Sequence, residues 1–295
     1  MNTPGIERHF HQAPKAWHYM GAALWHRKSL AGVTKAAAPL MRWQWHGLRW
    51  PEREVRALQS LTGLAPGPYL YLLLPQVLGF RLVMAALTDA AFPLPIWNAL
   101  QIRNRLRLHA SWNDTMPLDL STHTAAWRSV PKGVELDLHT QATQNGRCVW
   151  EGTTTFYYRG VRWAALPAQP DALPAPVCEG PEVARWRAGQ GEGWAFGHLT
   201  GDYNGVHWSH AYARRLGFPR AFLHPARVLG QCLARLPEQT PAGGGPLGLD
   251  AWIKGPVPYG AELHLRTCPV AQGLAFALHT DADPRPAHAG RIVRG

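Results

Sequence analysis

The chain has 295 residues, of which 46% are hydrophobic. This length and composition allow two ordinary domains with apolar cores and exclude global disorder. The formal net charge of +11 favours anionic partners, which include nucleic acids, acidic carrier proteins and phosphate-bearing cofactors. The basic residues are scattered and match no DNA- or RNA-binding signature, so no nucleic-acid partner is expected.

Targeting signals and cysteine spacing point to a reduced, cytoplasmic protein. No secretory signal is expected, because the first residues are rich in histidine and precede no compact apolar stretch. The most apolar stretch, residues 68–84, is interrupted by Pro75, Gly79 and Arg81, so no membrane-spanning segment is expected. The four cysteines lie far apart without a C-x-x-C pair, which predicts neither a zinc site nor a disulfide framework.

The N-terminal segment 1–60 mixes tryptophan, histidine and arginine with small residues and has no clean period. Residues 28–40 favour a helix, because a run of alanines supports it and Pro39 ends it. We assign the segment only as an extension of the first domain.

A short internal sequence repeat marks the two halves of the chain. Leu74-Pro-Gln-Val-Leu-Gly in the first half matches His224-Pro-Ala-Arg-Val-Leu-Gly in the second. Because proline is well tolerated in the first turn of a helix, each copy of the repeat is predicted to begin a buried helix. These helices are expected over 76–87 and 226–236. Strand patterns follow them, at 100–109 in the first half and at 247–253 and 262–267 in the second.

A hairpin and a linker complete the organisation. Residues 134–139 alternate apolar with polar, Gln144-Asn-Gly supplies a turn, and residues 148–158 resume a β-prone pattern. The proline-rich stretch 164–176 is typical of an interdomain linker. One central helix followed by several strands therefore occurs twice, which predicts a tandem α+β architecture in which each sheet wraps a helix.

The densest group of reactive side chains is predicted to follow a strand at 194–197. Asp202 and His207 are five positions apart, with Gly201 and Gly205 beside or between them, so the backbone can bring a carboxylate and an imidazole together. The carboxylate can take a proton from water while the imidazole orients the water or shuttles the proton. Such a pair suits addition of water across an activated double bond.

The same residues also fit a purely structural interpretation. Asp202 and Asn204 would then cap a helix at 209–216, and His207 would be an ordinary, partly buried histidine. Taken alone, the short motif favours this structural interpretation.

The wider segment resembles the MaoC-type (R)-specific enoyl-CoA hydratase family. That family's pattern is Ser/Thr-Gly-Asp-x-Asn-Pro-x-His, a short helix, and Gly-Phe-x-Arg-x-x-x-His-Gly opening the central helix. This chain supplies Thr200-Gly-Asp-Tyr-Asn-Gly-Val-His, Tyr212-Ala-Arg-Arg-Leu-Gly-Phe-Pro-Arg-Ala-Phe-Leu-His and Trp252-Ile-Lys-Gly-Pro-Val-Pro-Tyr-Gly-Ala-Glu-Leu. The resemblance thus covers residues 200–263.

The resemblance implies an α+β tandem (double) hot-dog fold, each half an antiparallel sheet wrapped around a central helix. The expected boundaries are 1–163 for a degenerate first domain, 164–181 for the linker and 182–295 for the MaoC-like domain. The first half has no Asp-x-Asn-x-x-His before Leu74, so one active site per chain is implied.

The resemblance also implies a lyase. Its substrates would be trans-2-enoyl or (R)-3-hydroxyacyl thioesters of coenzyme A or acyl carrier protein, hydrated or dehydrated without metal or redox cofactor. Asp202 and His207 would hold the water or hydroxyl at C3 of the acyl group. No histidine forms a helical H-x-x-x-H pair with an acidic partner, so spacing also predicts no metal site.

Two departures from the family pattern affect substrate binding. Gly205 stands where the family has proline, and Pro225 stands where it has glycine. That glycine amide is the family's expected donor to the thioester carbonyl, and proline has no N–H to donate. The replacement donor would be the Ala226 amide or the His224 side chain. The expected substrate-binding residues are Asn204, Gly205, His224, Ala226 and Lys254, the last as a phosphate contact.

Two other functions remain open. The chain could be a non-catalytic hot-dog protein that binds acyl thioesters or serves as a partner subunit, since Pro225 and the degenerate first half fit that interpretation. Acyl thioesterase is the third, because hot-dog domains also host that chemistry. A homodimer is compatible with the sequence, although a fused pair already completes one hot-dog dimer internally.

Overall fold

The computed structural model describes residues 6–25, 40–163, 166, 174–237 and 246–294. The helix expected over 28–40 therefore lies outside the described residues, apart from Leu40. Most of the proline-rich stretch 164–176 also lies outside them.

A single 11-stranded sheet runs through both halves in the order β1-β2-β4-β5-β6-β3-β8-β11-β10-β9-β7. The first-half strands are β1 (Ile6–Phe10), β2 (Met41–Leu48), β3 (Leu100–Leu108), β4 (Leu118–Val130), β5 (Gly133–Gln144) and β6 (Arg147–Arg159). The second-half strands are β7 (Glu182–Arg187), β8 (Leu247–Ile253), β9 (Glu262–Val270), β10 (Gly273–Thr280) and β11 (Asp283–Arg294). Except for the parallel pair β1 and β2, neighbouring strands are antiparallel.

The two halves meet at the centre of this sheet. β3 and β8, the first strands after the two central helices, pair antiparallel with Leu106 opposite Leu249. Outward from this pair the first half runs β6, β5, β4, β2, and the second runs β11, β10, β9, β7. Each half therefore repeats one strand order, and the tandem hot-dog architecture is confirmed.

The helices occupy equivalent places in the two halves. They are α1 (Ala16–Trp25), α2 (Glu52–Thr62), α3 (Pro68–Leu78), α4 (Phe80–Thr88), α5 (Gly193–Thr200), α6 (His210–Arg215) and α7 (Pro225–Leu233). α2 follows β2 as α5 follows β7, and the central helices α3 and α7 pack against each other. The N-terminal helix α1 packs on α4.

The helix start predicted from the repeat at Pro75 is wrong for the first central helix. α3 begins at Pro68, and Pro75 lies in its interior, where it cannot donate to the carbonyl of Tyr71. Seven of the residues flanking it in α3 are buried, so packing outweighs the lost hydrogen bond. In the second half the prediction is confirmed, because Pro225 is the first residue of α7.

The stretch Pro68–Thr88 is long and apolar enough to span a membrane, although Pro75, Gly79 and Arg81 interrupt it. Most of it is buried inside the fold, as is usual for the core helices of globular domains. Its buried hydrophobic side chains belong to the hydrophobic core that both halves share.

The predicted hairpin of the first half is confirmed. β5 and β6 are joined at Asn145 and Gly146, both of which have positive φ, at 51° and 75°. Positive φ at both central residues is the signature of a type I′ turn, whose twist matches the two strands.

Candidate active site

The loop that carries Asp202 follows a helix, so the strand predicted at 194–197 is wrong. These residues belong to α5, and their short apolar run lacks the alternation of a half-buried strand. The helix ends at Gly201, whose φ of 74° lies in the left-handed region that glycine adopts without strain. Its amide donates to the Gly197 carbonyl, which closes the last turn.

Local hydrogen bonds shape the loop. The Asp202 amide donates to Thr200 Oγ1 at 3.1 Å, and the Asn204 amide donates to Asp202 Oδ1 at 3.0 Å. Asn204 Oδ1 in turn accepts from the Val206 amide and caps the 3₁₀ turn Gly205–His207. The expected capping of the helix at 209–216 by Asp202 and Asn204 is wrong, because Ser209 Oγ caps that helix by accepting from the Tyr212 amide. Asp202 and Asn204 instead stabilise the preceding turn, which brings His207 to Asp202.

The remaining carboxylate oxygen faces an imidazole nitrogen. Asp202 Oδ2 lies 3.7 Å from His207 Nε2, and both side chains are largely buried. His207 Nδ1 lies 3.0 Å from the Phe222 carbonyl, which can only accept, so the proton of the neutral ring sits on Nδ1. Nε2 is then an acceptor, so a hydrogen-bond donor that lies between the two residues can donate to both His207 Nε2 and Asp202 Oδ2.

His224 packs directly against this pair. Its ring stacks on that of His207 with 3.8 Å between centroids, and its Nε2 donates to the Asp202 carbonyl at 3.0 Å. Its Nδ1 is buried and has no hydrogen-bond partner among the described residues.

Burial sets the protonation of the two imidazoles. It lowers the pKa of His207 below the usual range, although Asp202 and the bond to the Phe222 carbonyl act in the opposite direction. Burial, followed by the neighbouring His207, holds the pKa of His224 well below its usual range. Both rings are therefore neutral at neutral pH.

Among the residues that the structure describes, two clusters contain atoms that could ligate a metal ion. Asp202, His207 and His224 offer ligand atoms within 4.8 Å of one another. A second cluster on β6 and the end of β3 has the same spacing, and it comprises His109, Cys148 and Glu151. A search for H-x-x-x-H pairs cannot detect either cluster, because each is assembled by tertiary contacts.

The fold is shared with solved structures of dehydratases. HtdX of Mycobacterium tuberculosis superposes with a TM-score of 0.72 at 20% identity, covering 86% of this chain and 100% of that one. A MaoC-like dehydratase from Phytophthora capsici superposes with a TM-score of 0.70 at 14% identity, covering 90% and 98%. At these identities the superpositions establish the fold.

Sequence comparison adds a curated relative, although no family model matches the chain. The relative is 3-hydroxyacyl-thioester dehydratase X of Mycobacterium tuberculosis, which is 25% identical over 189 residues, 62% of this chain and 67% of the relative. The chain is thus similar to MaoC-type dehydratases in fold and, over these 189 residues, to one dehydratase in sequence. The double hot-dog form fits the repeated strand order and the Thr200-Gly-Asp-Tyr-Asn-Gly-Val-His segment.

The first departure from the MaoC pattern, Gly205, has a local explanation. A Cβ on Gly205 would lie 2.7 Å from the ring of Tyr212, in α6. Real Cβ atoms do not approach so closely, so a proline here would displace that ring. The absence of a side chain at position 205 and the large ring at 212 thus accommodate each other.

The second departure changes the start of the MaoC-like central helix. Pro225 occupies the first helical position and has no amide proton. The amides of Arg227 and Val228 donate to the carbonyl of His224, at 3.0 and 3.1 Å. Ala226 therefore carries the first amide that this helix can offer to a ligand, and it is buried.

Lys254 is not part of the cluster. It follows β8 with an exposed side chain, and its backbone amide donates to the Ala287 carbonyl at 2.8 Å. Within the described chain its ammonium forms no ion pair, so its role as a phosphate contact stays a prediction.

Two tyrosines that support the site were missed from the sequence. Tyr259 donates to the His207 carbonyl at 2.7 Å, and Tyr19 donates to the Gly201 carbonyl at 2.7 Å. Tyr259 lies inside the segment that resembles the family, so its position was a usable signal. Tyr19 lies 182 residues from its partner, and no sequence pattern indicates the contact.

Proposed function

We propose that the chain adds water to trans-2-enoyl thioesters, or removes it from (R)-3-hydroxyacyl thioesters, at Asp202 and His207. The observation that carries the proposal is the 3.7 Å separation of Asp202 Oδ2 and His207 Nε2. Both atoms accept hydrogen bonds, so one water can donate to each. The curated relative, a 3-hydroxyacyl-thioester dehydratase, supports the substrate class.

In the hydration direction the two acceptors activate the bound water. His207 Nε2 orients it, Asp202 takes one proton as the water oxygen forms its bond to C3, and Asp202 then gives that proton to C2, which completes the addition and restores the carboxylate. In the reverse direction the hydroxyl leaves C3 as water and a proton leaves C2. The neutral state of His207 favours this role, because a protonated ring would present no acceptor at Nε2.

The thioester carbonyl oxygen needs a hydrogen-bond donor while C2 carries negative charge. We assign this role to the Ala226 amide, at the positive end of the α7 dipole. His224 is less suited, because its Nε2 proton is used by the Asp202 carbonyl. Asn204 and Gly205 would shape the substrate pocket by setting the conformation of the loop that carries Asp202.

Coenzyme A and acyl carrier protein both fit as thioester carriers, because both are anionic and the chain has a net charge of +11. We further propose a cytoplasmic enzyme that needs no metal. The Asp202, His207 and His224 cluster makes this testable, since turnover should survive treatment with a chelator and the purified protein should carry no stoichiometric metal.

The test is turnover of purified protein on enoyl-CoA and (R)-3-hydroxyacyl-CoA substrates of several chain lengths, free and on carrier protein. Wild type should interconvert the two, and Asp202→Asn should not. Absence of turnover on every substrate, together with an Asp202→Asn variant unchanged in every property, would refute the proposal.

A non-catalytic acyl-thioester-binding protein or partner subunit is the second candidate, and Pro225 is the observation that favours it. Loss of one oxyanion donor typically lowers turnover by about 100- to 1,000-fold. Binding of acyl-CoA without turnover in wild type, with turnover appearing in Pro225→Gly, would support this candidate. Release of free thiol would instead indicate a thioesterase.

A further inference from the structure

The N-terminal helix of the first half contacts the loop that carries Asp202. Tyr19 of α1 is only 4% exposed, and its hydroxyl donates to the Gly201 carbonyl at 2.7 Å. Gly201 immediately precedes Asp202, and a Cβ at this glycine would collide with the Tyr19 hydroxyl. The phenol therefore sits directly against the backbone from which the carboxylate projects.

The peptide groups on both sides of the Asp202 Cα are held by hydrogen bonds. The preceding carbonyl, of Gly201, accepts from Tyr19, and the carbonyl of Asp202 itself accepts from His224 Nε2 at 3.0 Å. With both peptide planes fixed, the direction of the Asp202 Cα–Cβ bond is fixed as well. Removal of the Tyr19 hydroxyl would release one of the two planes.

A second side chain of the first half reinforces the same end of α5. Arg81 of α4 donates from its guanidinium to the His198 carbonyl, at the C-terminal turn of α5. Burial raises the pKa of the Tyr19 phenol above its usual range, although Arg81 acts in the opposite direction. The phenol accordingly stays protonated and remains a donor throughout the pH range in which enzymes work.

The other half of the chain provides an internal comparison. Gly63 ends α2 with a φ of 81°, in the conformation that Gly201 adopts at the end of α5. Only the Cβ of Ala234 lies within 4 Å of the position of a Cβ on Gly63. Among the described residues, the supporting phenol therefore accompanies only the loop that carries a carboxylate.

We propose that Tyr19 is a positioning residue for Asp202, so that the N-terminal extension of the first half forms part of the active site of the second. This inference rests on the proposed hydratase and dehydratase function. Tyr19 acts through the Gly201 carbonyl and orients the carboxylate toward the water shared with His207.

The kinetic test compares two tyrosine variants that lose the same kind of bond. Tyr19→Phe removes the bond to Gly201, whereas Tyr157→Phe removes a 2.8 Å bond to the Lys132 carbonyl in the first half. We expect kcat of Tyr19→Phe to fall by about 10- to 100-fold, with KM changed less than about twofold, because small displacements of a catalytic group cost turnover. Tyr157→Phe should retain wild-type kcat and KM.

Hydrogen exchange provides a readout that does not depend on turnover. The amides of residues 201–207 should exchange faster in Tyr19→Phe than in wild type or Tyr157→Phe, with exchange elsewhere unchanged. Unchanged kcat together with unchanged exchange would overturn the inference, and so would faster exchange throughout the chain. If wild type turns over no thioester, the proposed function fails, and the exchange of residues 201–207 alone decides whether Tyr19 holds the loop.

Discussion

The two halves of the chain contain the same turn, built from Leu-Thr-Gly at 61–63 and at 199–201. In both turns the threonine hydroxyl donates to the carbonyl four residues earlier and accepts from the amide two residues later. The next residue is Leu64 in the first half and Asp202 in the second. Leu64 is 3% exposed and belongs to the hydrophobic core.

The chain after the turn also differs. In the first half residues 64–67 lead directly into α3, whereas in the second residues 202–224 insert the 3₁₀ turn and α6 before α7. This insertion carries His207. The turn is therefore a property of the fold, whereas the proposed chemistry depends on one substitution and one inserted segment.

Exchange of the carboxylate for an amide tests the active half most strongly. Asp202→Asn keeps the size of the side chain and its bond to the Asn204 amide but removes the base. We expect turnover to fall by about 100- to 10,000-fold, the usual contribution of a general base. Asp114→Asn, in an exposed loop of the first half, should leave the steady-state rate unchanged; an equal loss there would contradict the assignment.

Introduction of a carboxylate into the inactive half should cost stability without creating a site. Leu64→Asp places an unpaired charge in the core, since the described residues 64–67 that follow the turn contain no equivalent of His207. The free energy of unfolding should fall by about 3 to 5 kcal/mol, as measured by urea denaturation. Leu64→Met should cost less than about 1.5 kcal/mol. Turnover that survived Asp202→Asn in the Leu64→Asp background would contradict the one-site interpretation.

Acid should destabilise the second half. Burial lowers the pKa of His288, in β11, to about 4, whereas an unfolded histidine titrates near 6.5. Above about pH 6.5 both states are neutral and this histidine contributes nothing. As the pH falls from about 6.5 to about 4, only the unfolded state gains the proton, and stability decreases by roughly 3 kcal/mol.

The measurement is the urea midpoint at neutral and acidic pH. His207 and His224 add to the decrease in the same direction, because their pKa values are also lowered by burial. His288→Leu should reduce the pH dependence, and His279→Gln, at a more exposed site, should not. The same change of the urea midpoint with pH in wild type and His288→Leu would show that acid destabilises the protein through groups other than His288.

The smallest expected effect concerns the departure at Gly205. Gly205→Ala places a Cβ against the Tyr212 ring and should lower stability by about 1 to 3 kcal/mol. Tyr212→Ala in the same chain should remove most of that penalty, which a double-mutant cycle of unfolding free energies measures. Additive penalties would contradict the proposed coupling of the two positions.

Sequence patterns predicted the parts of the fold that depend on neighbours along the chain. The hairpin at Asn145 and Gly146 was predicted because its turn type demands positive φ from both residues. The strand at 194–197 and the helix start at Pro75 were wrong, because buried contacts with other elements outweighed local preferences.

The sequence by itself determined the loop that presents Asp202, because the bonds from Thr200, Asn204 and Gly201 join residues at most four positions apart. Only the tertiary structure decided which way the carboxylate points and that His207 and His224 are both neutral. Those properties depend on the stacking of His224, the depth of burial and the phenol of Tyr19, 182 residues away from Gly201. Contacts across such separations are set by the packing of two halves, which no local pattern encodes.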